Sequence, residues 1–299
     1  MALHQFAVDP AEQEQMRGWL DGRHPEPVTA RPAATVLLLR DAGKDLEVLL
    51  LRRRTTMAFA GGMHVFPGGG VDPRDSEPGV PWVGPTPTEW GARLGCPVAL
   101  AEALVCAAVR ELFEECGVLL AGPDPTSVVP DVSAEDWEQD RRSLLDRSLP
   151  MSQLLIRRGL HLRSDLLRPW AHWTTPLFEP RRFDTWFFVA RLPEGQVARD
   201  IREEADRTHW LGVDAALAGH RQGRLPMMLP TTASLEDVAR AVHGSATTEL
   251  DRSPLDRVMG ADRVVRRVMP WLDRREDGEV VMSIDLDGRG GGTGPGGRA

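Results

Sequence analysis

Three glutamates, Glu111, Glu114 and Glu115, stand together in the run Arg110-Glu111-Leu112-Phe113-Glu114-Glu115-Cys116-Gly117. At about 100° per residue they fall within one arc of roughly 100° on a helix. Val105, Val109, Leu112 and Cys116 fall on the opposite side. Like charges three and four residues apart repel by a few tenths of a kcal/mol, and a cation at the cluster reverses that penalty. Hard oxygen donors without cysteine or clustered histidine suit Mg²⁺ or Mn²⁺ rather than zinc. Mg²⁺ keeps several waters and takes the rest of its shell from one or two carboxylates and substrate phosphates. The plain alternative is a solvated acidic face, the usual fate of three glutamates on a helix. Upstream context favours a site: Phe66-Pro67-Gly68-Gly69 offers a bend where glycine allows close backbone approach and carbonyl coordination.

The elements that must position these groups are legible in outline. Ala34–Arg40 and Leu46–Arg52 read as strands, joined by the polar, glycine-containing connection 41–45. Residues 97–116 read as a helix, with Pro97 in its first turn and Gly117 at the left-handed position after its last. Residues 73–96 show neither period and read as a long loop or insertion; 121–167, with proline loops and polar helices, reads as a second. Strands are expected near 170–173, 183–191, 208–213 and 279–284, and helices at 10–20, 214–219, 232–243 and 254–268. Interleaved strands and helices predict an α/β fold. The expected organisation is an N-terminal helix and arm over 1–32, then one domain over 33–286. That domain carries the insertions near 73–96 and 121–167 and a helical C-terminal extension. The glycine-rich tail 287–299 is expected to be disordered.

Composition narrows the function. The 299 residues carry a formal charge of −8, against a protein held mainly by nucleic-acid phosphates or anionic lipid. No apolar run approaches the ~18 residues of a membrane span, and the N-terminus lacks the apolar stretch of a signal peptide. Cys96, Cys106 and Cys116 form no CxxC pair and read as reduced thiols, so a cytoplasmic protein is expected.

The acidic helix resembles the signature of the Nudix hydrolases, Gx5Ex7REUxEExGU with U aliphatic. Glu102, seven residues, then Arg110-Glu111-Leu112-Phe113-Glu114-Glu115-Cys116-Gly117-Val118 match its second half without a gap. With Gly69 as the box glycine, 32 residues precede Glu102, an excess of 27 over the signature. An insertion behind Phe66-Pro67-Gly68-Gly69 is similar to the branch of peroxisomal coenzyme A diphosphatases, as is the Gly62-x3-Phe66-Pro-Gly-Gly spacing. Ala58 stands where that branch's upstream motif has an arginine.

The resemblance implies a Nudix-type α/β/α sandwich with a mixed sheet. It further implies metal-dependent hydrolysis of the pyrophosphate in a nucleoside diphosphate linked to a moiety X, here coenzyme A or acyl-coenzyme A. ADP-ribose, a dinucleotide or a damaged nucleotide is the alternative substrate, and a non-catalytic binding or regulatory module the alternative class. Glu111, Glu114 and Glu115, with the Gly69 carbonyl, are then the expected ligands of Mg²⁺ or Mn²⁺. Glu102 is the supporting acid, Arg110 orients the carboxylates, and Glu204 (or Glu203) in a later loop is the general base. Arg52 and Arg54, after a buried-looking strand, are the expected phosphate clamp; alternation sends Arg53 to the other face. The expected partner is a nucleoside-diphosphate-linked small molecule, with no nucleic acid and no membrane, and a homodimer is compatible with the sequence.

Overall fold

The apolar runs 36–39 and 48–51 are buried on both faces, which fixes them as inner strands of a sheet covered on each side. The structure is a computed structural model that describes residues 3–55, 61–77, 79–199, 205–244, 252–261 and 263–286. In chain order the first elements are β1 (Leu3–Ala7), α1 (Gln13–Leu20), β2 (Arg31–Ala42), β3 (Asp45–Arg53), β4 (His64–Val65) and β5 (Gly68–Gly70). A 3₁₀ turn over Pro73–Ser76 leads to β6 (Trp82–Val83), α2 (Pro87–Leu94), α3 (Val98–Cys116) and β7 (Ala121–Gly122). Then come α4 (Glu135–Leu145), α5 (Met151–Arg158), β8 (His161–Arg163), β9 (Leu167–Thr174), β10 (Phe183–Arg191) and β11 (Ala205–Gly212). The last elements are α6 (Val213–Arg221), α7 (Leu229–His243), α8 (Pro254–Met259), β12 (Arg267–Val268), β13 (Trp271–Arg274) and β14 (Val280–Asp285).

The chain forms two compact units. The larger, residues 33–170 and 186–265, holds the sheet order β11-β3-β2-β10-β9. β2 and β3 form an antiparallel hairpin through Gly43 and Lys44, and β4 and β5 pair with β3 and β2 respectively. Ala34, Val36, Leu38 and Leu49 pack with α3, with Trp90 and Leu94 of α2, and with Trp186 and Phe188 of β10. α6 and α8 also lie against β3. The small sheet β6-β8-β7 belongs to the inserted regions.

The smaller unit comprises residues 1–32, 171–185 and 266–299. Within it β1, β14 and β13 form an antiparallel sheet around Met16, Leu272 and Val280. β12 runs parallel to the end of β9, Arg267 opposite His172. His172 and Thr174 both reach the Asp184 carboxylate. Burial works against its charge, but these hydrogen bonds hold it below the usual carboxylate range.

Several elements depart from the sequence expectation. Residues 87–94, read as loop, form α2; α1 is shorter than 10–20; and β1 precedes it. The helix expected over 254–268 stops at Met259, and Arg267–Val268 is a strand. The tail 287–299 lies outside the described residues.

Candidate active site

α3 begins after Pro97 and ends where Gly117 takes the left-handed conformation, φ 65° and ψ 30°. Its last carbonyls are met from outside. The Gly117 N–H donates to Phe113 O, Arg141 Nε of α4 donates to Glu114 O at 2.9 Å, and the Arg199 N–H donates to Cys116 O at 2.8 Å. A guanidinium there also opposes the negative end of the helix dipole. The acidic face opposite the core is not the solvated face of the plain alternative: nearly the whole helix from Ala101 onward is buried, Glu111 and Glu114 included. The cover over the acidic side comes from β5 and the 3₁₀ turn at Pro73–Ser76.

Buried carboxylates require partners, and Arg110 supplies them. Its Nη1 donates to Glu111 Oε1 at 2.8 Å and to Glu114 Oε2 at 3.1 Å. Its other edge forks onto Asp75, Nε to Oδ1 at 2.9 Å and Nη2 to Oδ2 at 3.0 Å, while Nη2 also reaches Gly70 O at 3.0 Å. Asp75 is itself only 2% exposed. It is fixed by a reciprocal cap: Asp72 N–H donates to Asp75 Oδ2, and Asp72 Oδ1 accepts from Arg74 N–H. The turn is braced by the second inserted region, where Ser152 Oγ donates to Glu77 Oε2 at 2.7 Å and Arg74 reaches Arg147 O.

β5 closes the site from the sheet side. The Gly68 N–H donates to Glu115 Oε2 at 2.8 Å. Gly69 lies so close to Glu111 that a Cβ placed there falls 2.4 Å from Oε1, so only glycine admits the carboxylate without displacement. Burial pushes the Glu111 carboxyl up to about 7; Arg110 opposes the shift and Glu114 reinforces it. Burial also lowers His64 and raises the thiols of Cys106 and Cys116, which makes those thiols poor nucleophiles.

The structure brings Gly69, Arg110, Glu111, Glu114 and Glu115 together, and corrects other expectations. The acid outside the glutamate triplet that pairs with Arg110 is Asp75; the sequence reading gives the supporting-acid role to Glu102. Glu102 lies eight residues up the helix, roughly 12 Å of rise away. The signal was present: five residues separate Gly69 from Asp75, the box spacing, so the insertion follows Asp75 instead of preceding it.

Arg52 shares the face of Leu50 and His64, opposite to that of Leu49, which packs under α3. It therefore points away from the acidic cluster, and Arg53 has the α3 side. Arg54 lies beyond the end of β3. Glu203 and Glu204 fall outside the described residues, as does Ala58. His64 is buried within the β3–β4 pairing, and Met227 is packed beside it.

Among the described residues no three His, Cys, Asp or Glu side chains already converge as a metal cage. Glu111 and Glu114 turn to Arg110, and Glu115 to Gly68. The donor chemistry nonetheless fits a hard dication. All donors are oxygens, and three acids, Asp75, Glu111 and Glu114, share one arginine; burial, reinforced by Glu114, holds the Glu111 carboxyl up.

A family model described as the NUDIX domain matches residues 29–147. The crystal structure of a NUDIX hydrolase from Alicyclobacillus acidocaldarius superposes with a TM-score of 0.54 at 30% identity, covering 70% of this chain and 90% of that one. A curated protein of Xenopus laevis named acyl-coenzyme A diphosphatase is 24% identical over 271 residues, 79% of this chain and 69% of its own. Its namesake in Gallus gallus is 30% identical over 211 residues, 54% of this chain and 55% of its own, so the chain spans little more than half of that relative. The matched domain, the shared architecture and the glycine–acid–helix constellation show that this chain belongs to the Nudix family of pyrophosphohydrolases.

Proposed function

We propose that the chain hydrolyses the pyrophosphate of a nucleoside diphosphate linked to a second moiety, with coenzyme A and its acyl derivatives as the substrate class. The products are then 3′,5′-ADP and a phosphopantetheine. The observation that carries the chemistry is the buried set of Asp75, Glu111 and Glu114 on one Arg110, with Glu115 held by the Gly68 N–H and the Glu111 carboxyl pushed up to about 7. The substrate class is supported by the names of the Xenopus and Gallus relatives and by the inserted box behind Phe66-Pro67-Gly68-Gly69.

Glu111, Glu114 and Glu115, with the Gly69 carbonyl, would hold Mg²⁺ or Mn²⁺. When bound, such a dication neutralises pyrophosphate charge and lowers the pKa of a coordinated water. The chain's own residues do the positioning. Asp75 aims the guanidinium of Arg110, and Arg110 holds Glu111 and Glu114 side by side against their mutual repulsion. Gly68 fixes Glu115 through its N–H. The general base is assigned to Glu204, with Glu203 the alternative. A cytoplasmic location fits the free thiols Cys96, Cys106 and Cys116.

Purified protein is assayed with Mg²⁺ or Mn²⁺ against coenzyme A, acetyl-coenzyme A, ADP-ribose and a dinucleoside polyphosphate. Preferred cleavage of the coenzyme A species, abolished by chelation and by Glu115→Gln, is the expected result. Cleavage of ADP-ribose alone reassigns the substrate. No turnover of any pyrophosphate, with ligand binding unchanged in Glu114→Gln, makes the chain a binding module instead.

A further inference from the structure

An acidic ridge cannot by itself hold an anionic substrate, so something on the same side of the sheet must meet the phosphoryl oxygens that a metal leaves uncovered. β3 pairs regularly with β11 from Glu47 to Arg52, and the irregularity that follows, before the Arg53–Ala205 pair, falls on β11 between Ala205 and Arg207. Leu49, Leu51 and Arg53 therefore share a face, and Leu49 fixes it as the α3 face. Thr208 stands opposite Leu51, which puts it on that face too, as a diagonal neighbour of Arg53 within reach of a long side chain. Gly69 pairs with Ala34, which also packs with α3, so the acidic cluster and Arg53 lie on the same side of the sheet.

The two side chains share a second property. Arg53 Nε and Thr208 Oγ1 are both buried, and neither has a hydrogen-bond partner among the described residues. Buried donors are ordinarily satisfied, and two unmet donors at diagonal positions of one sheet face, one of them on a cation, are complementary to an anionic oxygen. A guanidinium fork matches phosphate geometry, and a hydroxyl adds a rotatable donor. The β11 irregularity immediately before Thr208 is of the kind that re-aims side chains beside active sites.

We propose that Arg53 and Thr208 form an anion subsite that takes a non-bridging phosphoryl oxygen of the substrate, across from the carboxylate ridge. This rests on the pyrophosphatase reading above and names the groups that grip the substrate where sequence alternation pointed to Arg52 and Arg54.

The test compares native protein with Arg53→Ala, Arg53→Lys, Thr208→Val and Arg52→Ala. It measures steady-state kinetics on coenzyme A and calorimetric binding of methylenediphosphonate, a pyrophosphate analogue that resists hydrolysis, both with Mg²⁺. Arg53→Ala is expected to weaken analogue binding and raise KM by roughly tenfold or more. Arg53→Lys, which keeps the charge but not the fork, falls between. Thr208→Val weakens binding by about two- to fivefold, and Arg52→Ala stays within about twofold of native. Arg53→Ala and Arg53→Lys that both match native binding and KM, in a protein that still cleaves coenzyme A, overturn the subsite and leave the activity standing. A native protein that cleaves no pyrophosphate but loses analogue binding in Arg53→Ala keeps the subsite and overturns the activity.

Discussion

Asp75 and Arg110 face one another as a two-pronged pair, with both carboxylate oxygens within 3.0 Å of the guanidinium edge, although 34 residues separate them in the chain. The pair links a turn that precedes the inserted segment to the helix that follows it. Arg110 spends its remaining edge on Glu111 and Glu114, so the aim of two box glutamates depends on a residue outside the helix.

Replacing Asp75 by asparagine leaves one edge of a buried guanidinium short of a charge. Loss of one partner from a buried pair costs about 3 kcal/mol, and outer partners of a metal site are worth about tenfold or more in activity. Urea unfolding and turnover of Asp75→Asn are both expected to fall by these amounts. Glu102→Gln, by the same measurements, is expected to have a much smaller effect on stability.

A methyl group at Gly69 has nowhere to go except into the Glu111 carboxylate. Gly69→Ala is expected to lower turnover by about a hundredfold through a displacement on the order of an ångström, while the melting temperature moves little. Titration of Mn²⁺ by electron paramagnetic resonance should show weakened binding in the same variant.

The raised Glu111 carboxyl sets the sign of a pH dependence. Its folded pKa, near 7, exceeds its ordinary value of 4.5, so between these values the folded state binds the extra proton. Stability without metal is therefore expected to decline as pH rises from about 4.5 to about 7, by on the order of 3 kcal/mol. Glu111→Gln should flatten that slope, and saturating Mg²⁺ should reverse it; denaturant midpoints across the range check both.

Arg141 caps the end of α3 through the Glu114 carbonyl. Arg141→Met removes that donor while keeping most of the packing volume, and is expected to cost about 1–3 kcal/mol in urea unfolding.

Much of this site is legible in the sequence. The helix 97–116 and its glycine stop follow from local periodicity and left-handed capping, which neighbouring residues settle among themselves. α2 was readable too: Thr86-Pro87-x-Glu89 is a capping box, masked by the proline- and tryptophan-rich stretch around it. The partner of Arg110 was harder, because an ion pair across 34 residues leaves no periodic trace; only the count of five from Gly69 marked Asp75. The faces of Arg52 and Arg53 were half legible. Alternation separates them, but which one lies on the side of the acids depends on which side of β3 α3 covers, a tertiary fact.

The most direct measurement is anomalous diffraction from crystals soaked in Mn²⁺. The account predicts a manganese peak among the carboxylates of Glu111, Glu114 and Glu115 beside Gly69. Crystals that show no peak there, or a peak only at a distant site, contradict it.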